Sequence, residues 1–151
     1  MTTTSDRLSR EDPLMPATRQ QAVLTLDSAL TLVRHALAEG AARRLAVSVT
    51  IVDPSMDLLA FAKSDGATPH SVDSSRRKAN TAASTRRATG WMGEDLALTL
   101  PLATDLQLTN ITGGAPLVVD GVVVGAVGIA GGTPDQDAEI AAGTAAHTTD
   151  L

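Results

Sequence analysis

Cysteine and tyrosine are absent from the 151 residues, and phenylalanine (Phe61) and tryptophan (Trp91) occur once each. Without thiols the chain forms no disulfide, carries no thiolate nucleophile and offers no thiolate to zinc or an iron–sulfur cluster. The scarcity of rings removes the platforms on which bases stack, and 17 acidic against 12 basic residues give a formal net charge of −5. A nucleic-acid partner is therefore not expected. No stretch approaches the ~18 consecutive apolar residues of a membrane span, and Met1 to Met15 lack the apolar segment of a secretory signal. No membrane association and a cytoplasmic location are the expectations. What is left is a chain of one-domain size, 43% hydrophobic, whose core must be built from Ala, Val, Leu and Ile.

Residues 1–22 mix Ser, Thr, Arg, Gln and prolines without a period and read as a flexible arm, with residues 23–151 as a single domain. From Leu26 the apolar residues Leu26, Leu30, Val33 and Leu37 recur at three and four, with Thr25 as cap, which predicts an amphipathic helix. LAVSVTIVD alternates strictly, and with LLAFAKSDG it predicts an antiparallel hairpin over residues 45–64, turned at Pro54-Ser55-Met56-Asp57. An Ala-rich stretch predicts a second helix from about Val72 to Arg87, capped by Ser71. The following region supports only a short helix near 94–99 and a short strand near 106–109. APLVVD and VVVGAVGIA, joined by Asp120-Gly121, predict a tight hairpin, and Thr133-Pro134 with Gln136 predicts a capping box opening the last helix. The order fits an α+β domain with a five-stranded antiparallel sheet flanked by helices.

Four of these segments, VSVTIVDPSMDLLAFAKSDGA, KANTAA, GGAPLVVDGVVVGAVGIAGG and GGTPDQDAEIAAGTA, together resemble the GlcG/HbpS family over about residues 24–148. The family domain also occurs at the C-terminus of PduO-type proteins. The resemblance implies a profilin-like fold, homo-oligomers up to octamers, and binding of haem or a related tetrapyrrole.

Haem iron takes an axial His, Met, Cys or Tyr, and the histidines are His35, His70 and His147. His35 and His147 fall within helices and read as solvated or capping residues, whereas His70 stands in a loop ahead of a basic helix, as a ligand or as a plain loop residue. On that helix Arg76, Arg77, Lys78, Arg86 and Arg87 read either as a carboxylate clamp or as a solvated face, with Lys78 inside the KANTAA motif. Asn110, Gly113 and Gly114 supply a loop through which a backbone can approach a ligand, or a bulge feeding the next strand. Gly131-Gly132 reads as structural, because Asp135 and Asp137 in the first helical turn repel an anion. No metal site is expected.

Two functions follow. In the first, His70, Arg77, Lys78, Asn110, Gly113 and Gly114 hold a small-molecule ligand, haem the one implied by the resemblance. In the second, the protein is a cofactor-independent enzyme acting on a small carboxylate or pathway intermediate in a catabolic or biosynthetic cluster, with Asp65, His70 or Lys78 as acid or base. Self-association is expected in either case, because so small a domain with so few aromatics has a thin core of its own.

Overall fold

The computed structural model describes residues 16–151. Helix α1 (Leu26–Ala42) leads to strands β1 (Ser48–Val52) and β2 (Leu58–Lys63), helix α2 (Ser71–Thr85) and helix α3 (Glu94–Ala103). Strands β3 (Gly114–Val119) and β4 (Val122–Ala130) and helix α4 (Pro134–His147) follow, and a short 3-10 turn over Thr148–Asp150 ends the chain. The sheet is antiparallel, in the order β2-β1-β4-β3.

β1 is central and buried along its whole length, so each of its two faces meets a different layer. Val49 and Ile51, with Val127 and Ile129 of β4, join Leu32, Val33 and Ala36 of α1 and Ile140 and Ala141 of α4 in the main aliphatic core. The alternate residues face α2. There the Ser48 and Ser71 hydroxyls share a hydrogen bond of 2.8 Å, Thr50 and Ser75 share another of 2.8 Å, and Val52 and Ala126 pack on Ala79, Ala82 and Ala83. The sandwich therefore has one oily side and one side of small residues stitched by hydroxyls, which satisfies polar groups that burial would otherwise penalise.

Small residues decide how near α2 lies. A Cβ on Gly128 would fall onto the Ser75 carbonyl and within 2.6 Å of the Ala79 nitrogen, so only glycine permits this approach of strand and helix.

The fold corrects four expectations. The described residues form four strands, not five: no strand occupies 106–109, since Asp105 and Leu106 both take left-handed φ values of 54° and 60°. That segment is instead tied to α2, where Asn80 Nδ2 donates to the Gln107 carbonyl (3.2 Å) and the Thr109 amide to Thr81 Oγ1 (2.8 Å). The helix expected at 94–99 runs on to Ala103 with Pro101 inside it. Ser71 is not the cap of α2 but its first residue; His70 holds the cap position without a side-chain cap bond, and the Ser71 hydroxyl turns to the Thr68 carbonyl at 2.6 Å. The second helix ends at Thr85, with Arg86 left-handed at φ 57°.

Other expectations are met: the α+β class, the Thr25 cap, the hairpin at Asp120-Gly121 with both residues at positive φ, and the Thr133–Gln136 capping box. The flexible arm expected over residues 1–22 falls mostly on residues 1–15, outside the described residues. Within them the Leu24 amide donates to the Val124 carbonyl (3.0 Å), and its side chain enters the core. No helix among the described residues is long and apolar enough to cross a membrane.

Two glycine substitutions separate close packing from mere helix content. Gly128→Ala should destabilise the protein by about 2 kcal/mol or more through overpacking, whereas Gly143→Ala, where nothing lies within 4 Å of the added carbon, should stabilise by about 0.5–1 kcal/mol through helix propensity. Urea unfolding followed by circular dichroism measures both.

Candidate functional site

Helices α2 and α4 pack on opposite faces of the sheet, yet their N-terminal ends converge beyond the end of β4. Between them lies a cavity of about 360 Å³, lined by Thr68, His70, Ser74 and Lys78 on one side, Ala130, Gly131, Gly132, Pro134 and Asp137 on the other, and Ile111. Its volume is at the lower end of the ~300–1,000 Å³ typical of small-molecule sites.

The floor of the cavity is an ion pair that reaches around the sheet. Lys78 on α2 is 3% exposed and Asp137 on α4 is 2% exposed. The Lys78 ammonium donates to Asp137 Oδ2 at 2.9 Å and to the Ile129 carbonyl at 2.8 Å. Asp137 Oδ1 accepts from the Gly132 amide at 2.9 Å. Two charges so buried are tolerated only when each is paired and hydrogen-bonded. An ammonium has three N–H groups, and the third has no partner among the described residues.

Gly113 makes the pair accessible to its own backbone. Its φ is 126°, and a Cβ there would stand 2.9 Å from Lys78 Nζ and 2.9 Å from Asp137 Cβ. The residue must be glycine on both counts.

The sequence-derived candidates separate clearly. His70 and Lys78 line the cavity, and Gly113 packs directly beneath it. Gly114 is buried under the Lys78 carbonyl, its amide held by Thr89 Oγ1 at 3.0 Å, so it serves the packing of α2. Asn110 braces the loop, accepting the Met92 amide on Oδ1 at 3.0 Å. Asp65, exposed in the turn after β2, and Arg77, half-buried on α2, are not among the lining residues. Of the other basic residues that the sequence groups with this helix, Arg76 bonds Asn80 Oδ1 and the Met56 carbonyl, and Arg87, beyond the end of α2, stacks over Trp91 at 4.0 Å. The arginines therefore form no clamp around Lys78; the charge that meets it is Asp137.

Sequence reading missed Asp137, taken there only as a repeller of anions at a helix start, and it dismissed the Gly131-Gly132 turn that forms the cavity rim. The signal was present in the pattern GGTPDQD: a capping box satisfied by Gln136 leaves the next carboxylate free to point elsewhere. His35 and His147, both half-buried, lie side by side. Their rings stack at 4.2 Å and 9°, and His147 Nδ1 lies 3.2 Å from Asp150 Oδ2.

The α+β sandwich carries this cavity where the starts of two helices converge. The chain belongs to the family described as haem degrading protein HbpS-like, which it matches over residues 24–146. It is 34% identical over 117 residues to protein GlcG of Escherichia coli K12, covering 74% of this chain and 84% of that protein. Klebsiella pneumoniae protein ORFY superposes with a TM-score of 0.83 at 26% identity, over 91% of this chain and 99% of that one. A PduOC–haem complex superposes with a TM-score of 0.76 at 25% identity, over 83% and 94%.

The ion pair is open to a direct test. Asp137→Ala leaves a buried ammonium without its carboxylate and should cost about 3–5 kcal/mol, whereas the paired change Lys78→Met with Asp137→Leu should recover most of that loss. Urea midpoints of the single and double variants give the comparison.

Proposed function

We propose that this protein binds a small carboxylate-bearing ligand in the cavity between α2 and α4, with haem or a related tetrapyrrole as the leading ligand. The observation that carries this is the buried Lys78 ammonium, which lines the cavity with a hydrogen-bond donor to spare. The haem of the PduOC complex and the description of the family support the choice of ligand.

Haem requires an axial ligand, a cation for its propionates and apolar wall. The residues present fit these needs: His70 at the rim would ligate iron, Lys78 would receive a propionate, and Ile111, Ala130 and Pro134 are the apolar lining. A bound haem supplies a redox-active iron and two carboxylates. The task left to this chain is to hold the propionate by charge and to set the imidazole against the metal.

A second reading, a cofactor-independent enzyme acting on a small carboxylate, is favoured by one observation: the same cavity brings the Lys78 ammonium into contact with the Asp137 carboxylate, so a proton can pass between donor and acceptor beside a bound substrate. Asp65 drops out of that reading by its position.

Self-association has a surface on which to act. α3 has no buried residue, and Leu98 and Leu102 are 67% and 65% exposed, with Leu96 and Leu106 beside them. A second copy of this chain covers that face in the proposed assembly, adding the apolar burial that the aromatic-poor core lacks.

Titration with haemin should give a saturable Soret shift at about one equivalent per chain, with the band displaced in His70→Ala; a linear, unsaturable change would remove haem from consideration. For assembly, light scattering coupled to size exclusion should give a mass well above 15.5 kDa, falling to that value when Leu98→Glu and Leu102→Glu are combined.

A further inference from the structure

The polar groups of the cavity that remain unused within the protein specify the charge of what enters it. The start of α4 is largely spent within the protein: the amides of Gln136 and Asp137 bond the Thr133 hydroxyl and carbonyl, the Thr133 amide bonds Gln136, the Gly132 amide bonds Asp137, and Pro134 has no N–H. Among the side chains that line the cavity, the third N–H of Lys78, the hydroxyls of Thr68 and Ser74 and the ring of His70 have no hydrogen-bond partner among the described residues.

Charge counting narrows this further. Lys78 and Asp137 cancel, so the floor is neutral overall although it presents a positive donor. Asp135, exposed in the first turn of α4 beside Pro134, adds negative potential near the rim. One ammonium N–H with two hydroxyls matches the oxygens of one carboxylate. A doubly charged phosphate would meet Asp137, and Lys78 is the one Lys or Arg among the described residues that line the cavity.

The geometry points to a monocarboxylate subsite in which Lys78 Nζ, Ser74 Oγ and Thr68 Oγ1 hold a single carboxylate, selected against phosphate by the neutrality of the Lys78–Asp137 pair. This inference rests on the cavity assigned above but not on haem: the carboxylate is either a tetrapyrrole propionate or a free short-chain acid, and the chemistry at Lys78 is the same.

The test uses the full chain labelled with ¹⁵N. Sodium propionate should produce saturable shifts at the Ser74, Gly131 and Gly132 amides, and inorganic phosphate should bind at least about tenfold more weakly, the scale of one charge-assisted hydrogen bond. Ser74→Ala, which removes a hydroxyl without a protein partner, should weaken propionate severalfold while leaving the spectrum otherwise native. The paired variant Lys78→Met with Asp137→Leu should abolish binding. No saturable shift at those amides, unchanged affinity in both variants, or phosphate binding as tight as propionate overturns the proposal.

Haemin and haemin dimethyl ester, compared by Soret titration, separate the two sources. Haemin binding that weakens at least about tenfold on esterification, with the preference lost in the paired variant, supports a propionate in the subsite. Propionate binding without haemin binding supports the free acid and overturns only the haem reading. Equal binding of haemin and its ester, with no response to propionate, leaves haem standing and overturns the subsite.

Discussion

The contact on which this architecture turns is the hydrogen bond between Lys78 and Asp137, because it joins two layers that the sheet otherwise keeps apart. α2 covers one face and α4 the other, and the ion pair closes around the end of β4, with the Ile129 carbonyl as third member. Desolvating two charges is expensive, so the surrounding backbone is shaped to repay it: Gly113 gives the ammonium room, and the Gly132 amide completes the carboxylate. A pair of nonpolar residues would hold the layers as well. The charged pair is therefore more readily understood as a feature of the cavity it floors than as a device of stability.

The reach of Lys78 depends in turn on how low α2 sits. Glycine at 128 and the hydroxyl pairs Ser48–Ser71 and Thr50–Ser75 bring the helix axis close to the strands, which delivers the lysine to the level of the last carbonyls of β4. A bulkier aliphatic interface would raise the helix and withdraw the ammonium. The low aromatic content that looks like a weakness in the sequence thus agrees with a layer built from small residues.

What could be read from the sequence was whatever local chemistry governs. Strict alternation gave β1, two positive-φ residues gave the Asp120-Gly121 hairpin, and the capping box placed the start of α4. Residues 106–109 defeated such reading because the Gln107 carbonyl and the Thr109 amide find their partners on α2, some thirty residues earlier in the chain, and no local period records that. The candidate site divided in the same way. Lys78 and His70 were identified, one by its place in a motif and the other by its loop, while Asp137 was missed because its role is set by a lysine 59 positions away across the sheet. Arg77 and Asp65 carried suitable chemistry in the sequence, and their position in the fold removed them from the cavity lining.

Arg87 lies over Trp91 at 4.0 Å, in the segment that leads into α3, and this tryptophan stands in a chain with no tyrosine. The ultraviolet emission of the chain therefore originates almost wholly from one place, a ring that is 37% exposed. The fluorescence of this protein is in effect a local gauge of the surroundings of Trp91 and Arg87, since the aliphatic side chains of the interior emit nothing.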